Sequence, residues 1–114
     1  MDNTDIIDLD ELKEIMDNDM ELIGECFREF NKDWPEAFGN IAKAVEVKDA
    51  SQLDETAHKL KGTLRYLAAD QAQKAAYELE LAGKEQNLEN LEEKLMLLEK
   101  RGLEVVDYIN NFKA

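Results

Sequence analysis

The chain has 114 residues, enough for one hydrophobic core that needs neither disulfide nor metal to close it. Hydrophobic residues make up 44% and charged residues 36%, a balance that excludes a disordered chain, and no apolar run approaches the ~20 residues that span a bilayer. A formal charge of −13, from 27 acidic and 14 basic residues, leaves no positive footprint for nucleic acid and disfavours anionic membrane surfaces.

Leu, Ala, Glu and Lys are abundant, Pro35 is the single proline, and nowhere do β-branched residues alternate as in a strand. This composition predicts an all-α protein. The acidic start, "MDNTDIIDLDEL", lacks the basic-then-apolar layout of a signal peptide. Cys26 is the one cysteine, so no internal disulfide can form, and its place in an apolar pattern with Leu22 and Phe30 predicts a buried structural thiol. Together these point to a cytoplasmic protein in a reducing compartment.

Five helical segments follow in chain order, with no linker long enough to divide residues 1–114 into two domains. The first spans roughly Asp8 to Met16, with Leu9, Leu12 and Met16 on one side. Asp19 can cap the second, where Ile23, Phe27, Phe30, Trp34, Phe38, Ile41 and Val45 recur at helical spacing straight through Pro35. Proline removes a helical hydrogen bond and clashes one turn back, which predicts a kinked long helix or two collinear pieces meeting near residues 32–35. Asp49 or Ser51 can cap the third, running to about Ala69 with Leu53, Ala57, Leu60, Leu64 and Leu67 in its stripe. The fourth begins after Asp70, carries Ala72, Ala75, Ala76, Leu79 and Ala82, and ends near Gly83. The fifth follows Asn87, with Leu88, Leu91, Leu95, Leu98, Gly102, Val105, Ile109 and Phe112 in a heptad-like seam. Four long helices with one apolar stripe each predict an antiparallel up-down-up-down four-helix bundle, with the short N-terminal helix capping one end.

One stretch of the third helix does not serve this pattern. Residues 57–69, "AHKLKGTLRYLAA", hold the single histidine, His58, and Gly62 one turn further on. On a helical wheel His58 lies about 140° from the centre of the leucine stripe, Arg65 about 120°, Lys61 about 80° and Gly62 about 180°. Residues 58, 61, 62 and 65 share a face that points away from the core. Glycine in a helix interior costs about 1 kcal/mol against alanine, and on an outward face no packing gain offsets it. Bare backbone beside an exposed imidazole suits the close approach of another molecule. Lys61 and Arg65 would hold an anion there, and a neutral imidazole is a nucleophile near physiological pH. The combination points to covalent phosphate transfer.

The same residues carry a resemblance. "AHKLKGTLRYLAA" resembles the signature of histidine-containing phosphotransfer (HPt) domains, A-H-x-L-K-G-x-x-x-x-[LIF]-G-A, with Ala57, His58, Leu60, Lys61, Gly62, Leu67 and Ala69 in matching places. The departure is Ala68, where the family often has glycine; a small residue is kept, which should preserve the fit to the neighbouring helix. Upstream "FNKDWPEAFGNIAKAVEVKDASQLDETAH" and downstream "YELELAGKEQNLENLEEKL" are similar to the family's flanking helices and glycine turn, so the likeness covers about Met20 to Ile109.

The resemblance implies a phosphocarrier, not an autonomous kinase. His58 would accept a phosphoryl group from the aspartate of one receiver domain, in a response regulator or hybrid histidine kinase, and pass it to another. Lys61 would neutralise the phosphoryl oxygens. Gly62 would admit the receiver's loops, and Arg65 (from helical spacing) and Ala69 would join the docking face. Mg²⁺ belongs to the receiver, so this chain needs no cofactor or metal, and a monomer is expected. The alternatives are a helical adaptor that oligomerises through residues 88–112, or a pseudo-HPt module that only docks. One histidine and one cysteine far apart give no zinc cluster. "DNDMELIGECFR" fails as a calcium loop, with Leu22 at the glycine position and Arg28 at the final glutamate.

Overall fold

The computed structural model describes residues 6–112; the first five residues and the last two of the expected 1–114 domain lie outside the described residues. Five helices occupy the chain: α1 (Leu9–Ile15), α2 (Met20–Val47), α3 (Ala50–Tyr66), α4 (Asp70–Lys84) and α5 (Leu91–Asn110). Among the described residues there is no strand. Contacts run α2–α3, α3–α4, α4–α5 and α2–α5, closing the four long helices into a ring around one core. Ile23 and Ile41 of α2, Leu53 and Leu64 of α3, Leu79 of α4, and Leu98 and Val105 of α5 are all buried there. Each such side chain contributes about 1.5–3 kcal/mol relative to exposure.

The helix starts follow from side-chain capping. Asp8, Asp19 and Asp49 each accept a hydrogen bond at 3.1 Å from the backbone N–H three residues on, satisfying a donor that the first turn leaves unpaired. Asp49, and not Ser51, therefore caps α3. Pro35 does not divide α2, which runs through it as one helix of 28 residues. Its ring is exposed while Trp34, one position earlier, packs inward. The missing N–H leaves the Asn31 carbonyl without its helical donor. At about 1.5 Å per residue, α2 alone accounts for the long dimension of the molecule, 41 Å.

The helix ends depart from expectation. α3 stops at Tyr66, not near Ala69, because Ala68 adopts the left-handed conformation with φ 55°. Ala68 N–H then donates to the Arg65 carbonyl and Ala69 N–H to the Leu64 carbonyl, both at 3.0 Å, the hydrogen-bond pair of a Schellman turn. The glycine common at this place in the signature suits that backbone. Alanine adopts it at a cost of about 1 kcal/mol, so the constraint at 68 is conformational as well as steric. Gly83, expected in a turn, lies inside α4 and is buried, while Gln86 takes the left-handed position beyond the helix. α5 begins at Leu91 and not directly after Asn87. The Asn87 side chain accepts from Glu89 N–H at 3.2 Å and holds the connection as a turn, and Asn90 has φ 59°.

Two glycines set helix-to-helix distances. A Cβ on Gly83 would lie 2.6 Å from the backbone nitrogen of Asp54 and 2.7 Å from the carbonyl oxygen of Ala50, so α4 rests directly on the α3 backbone. A Cβ on Gly102 would lie 2.0 Å from the indole of Trp34, which crosses onto α5 and stacks between Phe30 and Phe38. α1 lies against α2, with its Leu12 and the capping Met16 both buried, and Asp8 N–H donates to the Ala68 carbonyl at 3.0 Å. The short N-terminal helix is thereby tied to the turn that ends α3.

Candidate functional site

His58 projects from the middle of α3 with 66% of its side chain exposed, while Ala57, Leu60 and Leu64 around it are buried. Its ring is nevertheless fixed. Nδ1 lies 2.8 Å from Oε1 of Glu80, which reaches it from α4. Lys61, one turn along α3, places Nζ 2.9 Å from Oε1 and 3.0 Å from Oε2 of the same carboxylate and 5.1 Å from the centre of the Tyr77 ring. A buried carboxylate thus ties together an exposed imidazole and a half-buried ammonium.

Glu80 is 3% exposed. Burial pushes its pKa up, but the hydrogen bonds from Lys61 and His58 and their charges outweigh burial and leave the carboxyl below its ordinary range. An ionised carboxylate only accepts hydrogen bonds, so Nδ1 of His58 carries the proton. In the neutral ring the lone pair then sits on Nε2, at the edge away from Glu80. The tautomer of the imidazole is a consequence of one side chain on the neighbouring helix.

Sequence reasoning missed this residue. It pictured two cations holding an incoming anion beside the imidazole, whereas a carboxylate of the chain itself stands between His58 and Lys61. The available signal was the position of Glu80 four residues after Ala76 and three before Gly83, within the buried face of α4. A carboxylate at core spacing is seldom idle.

Gly62 is exposed, and a Cβ built on it would meet nothing within 4 Å, so the open approach read from the sequence is present. Arg65 is exposed on the same helix and lines a cleft of about 390 Å³ with Lys61, Lys74 and Tyr77. Ala69 is a correction. The turn at residues 67–68 carries it off the α3 surface into the core at 0% exposure, where no partner can touch its side chain. Cys26 is half-buried, not enclosed, in the wall of a second cleft beside Gly62, and burial followed by Glu25 pushes its thiol pKa up. Among the described residues no group of three or more His, Cys, Asp or Glu side chains is placed to hold a metal ion, and no helix is long and apolar enough to cross a membrane.

The bundle thus presents one oriented, solvent-facing imidazole with bare backbone beside it. The Hpt domain family model matches residues 25–111, from within α2 past the end of α5, and the chain belongs to this family. Hpt domains are phosphocarrier modules of two-component phosphorelays, not catalysts, and they interact with receiver domains. No curated protein and no solved structure matches the chain.

Proposed function

We propose that this protein is a phosphorelay intermediate in which Nε2 of His58 takes a phosphoryl group from a receiver aspartate and gives it to another. The observation that carries the reading is the 2.8 Å contact between Glu80 and Nδ1, which leaves Nε2 as the free nucleophile. In the transfer, the Nε2 lone pair attacks phosphorus in line. The N–P bond forms as the P–O bond to the receiver aspartate breaks, and aspartate leaves as carboxylate. The ring gains positive charge and keeps its Nδ1 proton, facing the Glu80 carboxylate. Transfer onward is the same step reversed onto a second receiver.

Lys61 then has two anions within reach, Glu80 and the phosphoryl oxygens, and its ammonium neutralises the second without abandoning the first. Gly62 lets the receiver close over the ring, and Arg65 meets its acidic pocket. Mg²⁺ is the receiver's contribution. The up-down-up-down course of α2 to α5, supported by their cyclic contacts and short connections, belongs to the same reading, as do a monomeric state and a cytoplasmic location.

The test mixes a phosphorylated receiver domain and Mg²⁺ with wild-type protein and with His58→Gln. The expected result is label on the wild type alone, stable to alkali and lost in acid. Label that persists on His58→Gln, with the bundle intact by circular dichroism, would mean that another residue is the acceptor.

A further inference from the structure

The charge on the face around His58 is divided by α3 itself. On the α4 side stand Lys61, Arg65 and Lys74, with Asp70 the one carboxylate lining the same cleft, and among the described residues neither Arg65 nor Lys74 has an ion-pair partner. On the α2 side a groove runs along the α2–α3 seam as adjoining clefts of about 460 and 240 Å³, the first reaching Gly62. Phe30 contributes to both clefts, with Leu67 in the first and Leu60 in the second, and the α2 lip carries Glu29, Asp33 and Glu36. These three carboxylates are exposed and make no ion pair among the described residues. Lys59 stands alone on the opposite lip, so the groove stays acidic along α2.

We propose that the α2–α3 groove is the specificity half of the docking face, selecting receiver domains whose surface beside the phosphoaspartyl pocket is apolar and edged with lysine or arginine. This rests on the reading of His58 as phosphoryl acceptor. A phosphorylated receiver presents its anionic pocket to His58, and Lys61, Arg65 and Lys74 attract it. The chain's net charge of −13 repels an acidic protein away from this basic patch. The basic edge lands on Glu29 and Asp33 while the apolar surface covers the exposed Tyr66 on the groove's rim, above a floor closed by the buried Phe30 and Leu67. The two signs on either side of α3 fix which way round the receiver sits, and a receiver with an acidic edge is turned away by like charge. Complementary charge of this kind acts chiefly on association rate and is screened by salt.

The variant Glu29→Lys/Asp33→Lys reverses the lip without touching the His58–Glu80–Lys61 cluster. Two readouts are compared with wild type. The first is labelling by phosphoramidate, a donor too small to use the groove; its P–N bond breaks as the N–P bond to His58 forms, and ammonia leaves. The second is transfer from receivers with basic and with acidic edges, at low and high salt. The expected result is unchanged phosphoramidate labelling, at least tenfold slower transfer from basic-edged receivers at low salt, faster transfer from acidic-edged ones, and convergence of both at high salt. Transfer indistinguishable from wild type for both receiver types would overturn the groove's role while leaving His58 as acceptor. A wild-type protein labelled by neither donor would overturn the acceptor reading and this inference with it.

Discussion

The two flanks of α3 are built to opposite rules. Toward α4 the seam is closed: Ala72, Ala75, Ala76, Leu79, Ala82 and Gly83 of α4 are all buried, and Gly83 lies so close to the α3 backbone that it has no room for a methyl. Toward α2 the seam opens into the groove, and its lip is charged. The close flank supplies Glu80 and so the orientation of the imidazole. The open flank offers surface that the chain itself does not fill. On the proposed function, a ring that holds one tautomer and receives a receiver domain is served by rigidity on one side and vacancy on the other.

Breaking the close flank should have the largest effect. Gly83→Ala drives a methyl into the α3 backbone and should lower unfolding free energy by about 3 kcal/mol. Because α4 carries Glu80, phosphate acceptance should fall in the same variant. A urea midpoint unchanged from wild type would show that the helices separate at little cost. Next comes Glu80→Gln, which keeps the shape and removes the charge. Acceptance should slow about tenfold, equivalent to ~1.4 kcal/mol of lost transition-state stabilisation. Stability should drop by about 1–2 kcal/mol as Lys61 loses its ionic partner.

The pH dependence of that second variant sharpens the comparison. The folded-state pKa of Glu80 is lowered, so its contribution is in full force above the unfolded carboxylate value, about 4.3, and is lost as pH falls through the folded value. The stability gap between wild type and Glu80→Gln, measured by urea unfolding, should hold from pH 7 to about pH 5 and close only in stronger acid. A gap already gone at pH 6 would mean the carboxylate is not held by His58 and Lys61.

The smallest effects are the most diagnostic. Gly62 and Gly39 are both exposed, both helical, and both without a neighbour within 4 Å of a built Cβ. Alanine at either should stabilise the fold by about 1 kcal/mol. Only Gly62→Ala should slow transfer from a receiver, by a few fold. Slower transfer from Gly39→Ala as well would mean that backbone flexibility, and not space for a partner, is what the glycines provide.

How much of this was legible in the sequence differs by element. The apolar stripes and the shared outward face of His58, Lys61, Gly62 and Arg65 were, because helical periodicity fixes them locally. Glu80 was hidden as one carboxylate among 27 acidic residues, and its burial depends on α4 resting on α3. The helix ends were misjudged for one physical reason. Asp17, Asn18, Lys48, Ala68, Gln86 and Asn90 take positive φ, and no glycine does. The usual stop signal is absent from the turns, and all five glycines lie inside helices, although α4 does end near Gly83 as its pattern predicts. The misassignment of Ala69 has the same origin: continued as helix past Ala68, the chain would put it on the His58 face.

Trp34 gives the molecule a built-in optical centre. It is the only tryptophan, its indole seals α2 against Gly102 of α5, and its edge lines the groove beside Asp33 and Leu60. One fluorophore therefore looks both ways, reporting the closure of the bundle by its emission in a dry environment and, under the proposed docking, the arrival of a receiver by whatever displaces water from the groove. Folding and docking can be followed in the unlabelled, unmodified protein, in the same cuvette, from the same ring.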